Sequence, residues 1–154
     1  MKVTFGRAHH GWLPVTLELD DGPFPFDVSY MPYDFVSELV AALHGVLSGP
    51  GEYVARICEE PVEHDWRFRS FDPSAVIFEV VTYRWGRRPG EKGEVTVKQW
   101  GTPLEMVLPL WRGLRDLAGR ARAEGYRSHW DAPFPFDALD RLTTRVEHAC
   151  AEHS

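Results

Sequence analysis

The sequence predicts one α+β domain over residues 1–154: a mainly antiparallel sheet of six or seven strands, three helices, and the long C-terminal helix packed on the sheet. Three observations predict it. Seven short runs are apolar on alternate positions or rich in β-branched and aromatic residues, the pattern of half-buried strands. Their connectors are short and rich in Gly, Pro and Asp, which favours hairpins over crossovers. Three longer stretches carry apolar residues every three or four positions, as amphipathic helices do. A chain of this length buries roughly two thirds of its unfolded surface, so a core needs no covalent staple.

The first strand is KVTF, and the second is LPVTLELD, where Leu13, Val15, Leu17 and Leu19 alternate with Pro14, Thr16, Glu18 and Asp20. Asp21-Gly22 turns the chain into a third, with Phe24, Phe26, Val28 and Tyr30 on one face. Pro25 has no N–H for a ladder, so this strand belongs at an edge or at a bulge. Asp34 is suited to cap a helix whose stripe is Val36, Leu39, Val40, Leu43 and Leu47, and Ser48-Gly49-Pro50-Gly51 ends it. Four further strands are expected at Tyr53–Cys58, Asp65–Phe71, Ala75–Trp85 and Glu94–Trp100. The run Val76–Trp85 is apolar on nearly both faces and reads as a central strand. Thr102-Pro103 has the chemistry of an N-cap and first helical residue. The helix it opens buries Val107, Leu110, Trp111, Leu114, Leu117, Ala118 and Ala121, with Gly125 as its stop. A loop, Tyr126–Pro135, leads to a last helix with Asp137 as cap and Leu139, Leu142, Val146 and Ala149 inside.

The pentapeptide PFPFD occurs twice, at Pro23–Asp27 and Pro133–Asp137. After the first copy apolar residues recur every two positions; after the second, every three or four. Nothing else aligns at that offset. Phe anchors on a Pro-stiffened segment lose little entropy on ordering, and Asp suits a turn or a cap. The repeat is local convergence.

Formal net charge is −6. Residues 1–83 hold five Lys or Arg against thirteen Asp or Glu, a balance of −8, while residues 84–154 stand at +2. An acidic chain disfavours non-specific nucleic-acid binding, which depends on neutralising phosphates. It suits a basic protein partner. Cys58 and Cys150 are far apart and belong to no C-x-x-C pair, which favours a reduced compartment. With no apolar run of membrane-spanning length and no leader-like N-terminus, a cytoplasmic protein is expected.

The segment CEEPVEHDWRF, Cys58–Phe68, concentrates chemistry: Glu59, Glu60, Glu63, His64 and Asp65 between two strands. As a solvated turn it offers an acidic binding surface made of Glu59, Glu60, Glu63, Asp65 and the neighbouring Trp66. As a convergent cluster it offers His64 with Glu60 as an acid–base pair. Neither a metal-ligand spacing nor a cofactor loop is present, so no metal or cofactor is expected. His9 and His10, adjacent on an extended chain, point to opposite faces. His148 and Glu152 sit one helical turn apart in the tail, where stray metal capture is the most they suggest. Arg84-Trp85-Gly86-Arg87-Arg88 and the arginines of the long helix interleave with Glu91, Glu94 and Asp116, the pattern of a solvated face. Among the six Trp, Trp100 and Trp130 fall near element ends, where an exposed ring marks an interface, while core packing is the commoner fate of such rings; a homodimer built on exposed aromatics is a further expectation.

The run from GWLPVTLELDDG through DVSYMPYDFVSELVAALHGVLSG to EEPVEHDWRF, followed by VIFEVVTY, resembles small uncharacterised bacterial α+β proteins, some of which look like immunity partners of polymorphic toxins. The resemblance covers about the first 85 residues and consists of packing and turn positions, so it carries over no functional residue. It implies a non-enzymatic protein that binds a basic partner through an acidic face. The alternative is a small enzyme or ligand-binding domain built on the cluster around His64.

Overall fold

A computed structural model describes residues 1–124 and 126–154. The elements run Lys2–Phe5 (β1), Trp12–Leu19 (β2), Gly22–Ser29 (β3), Phe35–Ser48 (α1), Gly51–Cys58 (β4), Glu63–Asp72 (β5), Ala75–Tyr83 (β6), Glu94–Gly101 (β7), Pro103–Glu124 (α2), Tyr126–Trp130 (α3) and Phe136–Glu152 (α4). All seven strands form one antiparallel meander in chain order. No helix among the described residues is long and apolar enough to cross a membrane.

The sheet is two half-sheets on a narrow joint. β2 and β3 pair along their whole length, as do β4 and β5, but β3 meets β4 only at Ser29 and Cys58. This resolves the Pro25 problem: β3 is paired with β2 on one side and is an edge on the other over most of its length. Along the β4 edge that β3 leaves bare lies α1, whose Glu38 accepts the Arg56 backbone N–H at 3.1 Å and the guanidinium at 2.8 and 2.9 Å. α2 packs on β1, β6 and β7, and α4 lies across α1 and α2.

Helix ends follow local chemistry. Asp34 caps α1 by accepting the Ser37 N–H at 3.4 Å and hydroxyl at 2.8 Å. Thr102 and Glu105 exchange hydrogen bonds in a capping box at 2.8 and 3.1 Å. Asp137 departs from expectation: α4 starts at Phe136 with Pro135 at the cap position and no side-chain cap bond. The carboxylate lies within the first turn, where it faces the positive end of the helix dipole. The expected loop Tyr126–Pro135 contains the five-residue α3. The expected stop at Gly125 lies outside the described residues.

Trp66 lies at the centre of the core with no exposed surface. The rings of Phe35, Phe26 and Phe78 meet it edge-on at 5.0, 5.6 and 5.7 Å, the geometry that aromatic quadrupoles favour. Trp130, which the sequence left open between core and interface, is likewise fully buried and donates its indole N–H to Asp34 at 3.2 Å.

Candidate functional site

Strand alternation divides the acidic segment between two faces. On β5, His64, Trp66, Phe68 and Ser70 pair with Thr82, Val80, Phe78 and Val76 of β6 on the helix-covered side. Glu63, Asp65, Arg67 and Arg69 pair with Tyr83, Val81, Glu79 and Ile77 on the other side. The five carboxylate and imidazole groups therefore do not make one surface.

On the covered side, Glu59 and His64 converge as the acid–base reading requires, with Glu59 and not Glu60 as the partner. His64 Nε2 bonds Glu59 Oε1, and Nδ1 lies 2.9 Å from Thr82 Oγ1, which is 3.0 Å from Thr96 Oγ1. The other Glu59 oxygen accepts the Asp27 N–H of β3 at 3.0 Å. Phe26, also on β3, sets its ring edge-on to the imidazole at 5.0 Å. Burial pushes the Glu59 carboxyl up, but the His64 and Asp27 bonds outweigh it and hold Glu59 below the ordinary carboxylate range. His64 is 8% exposed, both ring nitrogens are engaged, and one edge of the site is closed by Phe26. The cluster thus clasps β3 to β5 beside the single Ser29–Cys58 pair, and presents no free proton-transfer atom to a substrate.

On the other side, Glu63 and Asp65 hold Arg87, delivered by the β6–β7 loop. The guanidinium donates to Asp65 Oδ1 through Nε at 2.9 Å and through Nη2, to Glu63 through Nη1, and to the His64 carbonyl at 2.8 Å. The Arg87 N–H also reaches Glu63 Oε2 at 2.9 Å. Tyr33 and Tyr83 cover the guanidinium at 5.1 and 5.4 Å from their ring centres. Gly86 has φ +83°, and a Cβ there would meet Glu63 Oε2 at 2.9 Å. Only glycine lets the loop come this close. Burial works against the Arg87 charge, yet its carboxylates raise its proton affinity further. Burial raises the Cys58 thiol as well, which leaves it protonated and unreactive.

Each expected binding residue now has a place. Glu60 is exposed at a positive φ of 49° in the turn. Glu59, Glu63 and Asp65 are spent on His64 and Arg87. Trp66 has no surface to offer a partner. The expected free acidic patch is an ion-paired, half-buried cluster, because the neutralising arginine comes from 22 positions beyond Asp65.

Two exposed aromatic rings lie at the opposite end of the same uncovered face, and a third, Trp85, is exposed in the β6–β7 loop. Phe71 is 66% exposed and Trp100 is 65% exposed. Arg69, Ile77 and Trp100 stand in register across three strands. Arg69 lies over the Phe71 ring at 5.8 Å and Lys98 over Trp100 at 5.4 Å, while Arg69 also pairs with the buried Glu79. Val95 is exposed on β7, nearer the loop. The sequence places Phe71 at the end of the expected strand Asp65–Phe71, and the turn residues Asp72-Pro73-Ser74 that follow it were the signal for an exposed ring.

The histidines at the N-terminal turn serve the backbone. His10 and Gly11 occupy positive φ (49° and 80°) in a two-residue hairpin, with His9 and Trp12 exchanging hydrogen bonds at 2.9 Å, as a type I′ turn demands. Among the described residues, no three His, Cys, Asp or Glu side chains are grouped so as to hold a metal. Among the open clefts elsewhere, one of about 550 Å³ is lined by the end of α1, the β5–β6 turn, the start of α2 and the end of α4, and one of about 750 Å³ lies between α1 and α4.

Comparison with protein-family models, with curated proteins and with solved structures returned no match to this chain.

Proposed function

We propose that the protein acts by binding another protein, and that the contact is made by the uncovered sheet face around Phe71 and Trp100. The observation that carries this reading is the pair of large aromatic rings, each about two-thirds exposed, on one sheet face without a helix over it. Aromatic side chains and arginine dominate the energetics of protein contacts, and solvent-exposed rings flanked by cations match that composition. The strand scaffold holds them in place, so little ordering entropy opposes association. An immunity-like role agrees with the proposal, with the contact moved from the acidic turn to the sheet end. A basic partner is part of that role only through the overall negative charge, since the face itself mixes Arg69, Lys98, Glu79 and Glu52.

The test is a capture experiment followed by calorimetry. A partner retained by the wild-type chain from lysate of the source organism is purified, and its affinity is measured for the wild type and for Phe71→Ser/Trp100→Ser. The double variant should lose at least thirtyfold in affinity, about 2 kcal/mol or more as hot-spot rings do, with an unchanged melting temperature. Equal affinity in a folded double variant overturns the assignment of this face.

A further inference from the structure

The sheet has four stretches of edge: the outer sides of β1 and β7, and the sides of β3 and β4 that do not meet. Three of them are closed by other groups. Arg120 of α2 binds the Phe5 and Gly6 carbonyls beside β1, and α2 packs so close that a Cβ on Gly113 would lie 2.8 Å from the Val3 carbonyl oxygen. β3 turns Pro23, Pro25 and Asp27 outward; the prolines have no N–H, and Glu59 accepts that of Asp27 at 3.0 Å. α1 lies along β4, with Glu38 on the Arg56 N–H at 3.1 Å. Such covers are how native sheets keep their edges from adding strands. Among the described residues, nothing of this kind lies on β7. We propose that the β7 edge pairs with the β7 edge of a second copy of this chain, which joins two sheets into one across a twofold axis normal to them.

The ladder shows which backbone groups are free. Val80 turns its carbonyl toward β7, where the Thr96 hydroxyl reaches it at 3.3 Å, and Val80 stands opposite Val97. Val97 therefore spends its N–H and C=O on β6, and Gln99 and Gly101, opposite Phe78 and Val76, do the same. The N–H and C=O of Lys98 and Trp100 point away from the sheet. Both residues are exposed. The register shift at Val80/Val81 falls before Val97, so residues 97–101 form a regular edge.

One register is self-complementary. With Gln99 on the axis, Lys98 stands opposite Trp100 of the second copy and Trp100 opposite its Lys98, and each such pair exchanges both backbone bonds. On the uncovered face each ammonium then lies between two indoles. Lys98 already stacks over its own Trp100 at 5.4 Å, and such contacts strengthen as they lose water. The stacking also draws the charge off the edge, where a lysine otherwise blocks pairing. On the covered side the half-buried Gln99 meets its twin, and an amide is donor and acceptor at once. An axis at Lys98 would instead set two ammonium groups opposite each other. An axis at Trp100 would set Lys98 opposite Thr102, whose N–H is already taken by Glu105 at 2.8 Å. The Phe71 and Trp100 faces of both copies come to lie on one side of the joined sheet. The inference thus extends the proposed partner-binding surface without resting on it.

The test is sedimentation equilibrium of the full chain from about 5 to about 500 µM, a span suited to an interface of modest size. A reversible monomer–dimer equilibrium is expected. Lys98→Pro deletes an outward N–H that β6 does not use, a place where an edge strand accepts proline, and should weaken the dimer about tenfold or more with the melting temperature nearly unchanged. Lys98→Arg keeps both the N–H and the charge and should dimerise as the wild type does. So should Phe71→Ser, which alters the ring face and leaves the edge intact. Hydrogen exchange gives a readout that needs no variant: the Lys98 and Trp100 amides should exchange about tenfold more slowly at the top of the concentration range than at the bottom. A chain that stays monomeric throughout the range overturns the proposal. So does a dimer whose Lys98 and Trp100 amides exchange freely, or one that Lys98→Pro leaves intact and Phe71→Ser removes, which would belong to the ring face.

Discussion

The two ends of the uncovered sheet face are built from the same strands and use their conspicuous side chains in opposite ways. At the end nearer the β6–β7 loop, Glu63 and Asp65 are turned inward onto Arg87 and roofed by Tyr33 and Tyr83. At the other end, Phe71 and Trp100 stand in solvent with only Arg69 and Lys98 beside them. Charge is hidden where the sequence looks most polar, and apolar surface is shown where it looks most like core. A carboxylate paired with a half-buried arginine has little field left to steer a partner, whereas an exposed ring keeps its full desolvation energy for binding.

The sharpest way to break this contrast is Arg87→Ala. It leaves Glu63 without the guanidinium it holds and leaves buried Asp65 with Arg67 Nη2 at 3.4 Å in place of the closer Arg87. Losing one member of a buried pair costs about 3–5 kcal/mol; with the Arg87 side chain still 22% exposed, about 2–3 kcal/mol is expected after solvent screening. Thermal melting should fall by roughly 4–12 °C. Adding Glu63→Gln and Asp65→Asn should recover part of the loss, because the stranded charge and not the lost packing dominates. A single variant as stable as the wild type would mean the carboxylates are solvated and free to bind.

Glu59→Gln tests the clasp, with a smaller effect. The native Glu59 carboxyl is held below its ordinary value of 4.5, so the folded state favours its ionised form. Its contribution is fully present above the unfolded value and is lost as pH falls through the lower folded value. At pH 7 the variant should be about 1 kcal/mol less stable, as befits a partly exposed charge-assisted bond. Below pH 4.5 the gap to the wild type should close. Urea unfolding at pH 7, 5, 4 and 3 reads it, and a gap constant with pH would show that the carboxylate charge plays no part in the clasp.

Much of the fold was legible because its signals are local. Period two, β-branched and aromatic runs and turn-rich connectors located the seven strands, and Asp34 and Thr102-Pro103 marked two helix starts. What failed depends on distant partners. Asp137 looked like a cap because the sequence does not reveal that Pro135 and Phe136 already set the helix entry. Trp130 stayed open between core and interface because nothing near it in the chain announces Asp34, 96 positions away. The site was misread for the same reason. His64 and Glu59 are five residues apart and their pairing was within reach, although Glu60 was chosen; Arg87 reaches the cluster only after a full hairpin has folded. Binary pattern gives the face of Asp65 but not what covers that face.

Glu60→Lys brings the smallest effect on stability and the finest discrimination between the two ends. Glu60 is exposed, and Lys meets the same backbone cost at φ +49° as Glu does. Stability should therefore stay within about 0.5 kcal/mol of the wild type. The substitution nevertheless changes the charge of the acidic turn by two at its most accessible point. If the partner docks on the sheet end, its affinity at about 0.1 M salt should change less than about twofold, since a solvent-exposed charge beyond a Debye length of about 10 Å is then largely screened. A loss of tenfold or more, relieved by added salt, would return the contact to the acidic turn and leave Phe71 and Trp100 as bystanders. The two variants, Glu60→Lys and Phe71→Ser/Trp100→Ser, thus test which end of one sheet face makes the contact and which holds the fold together.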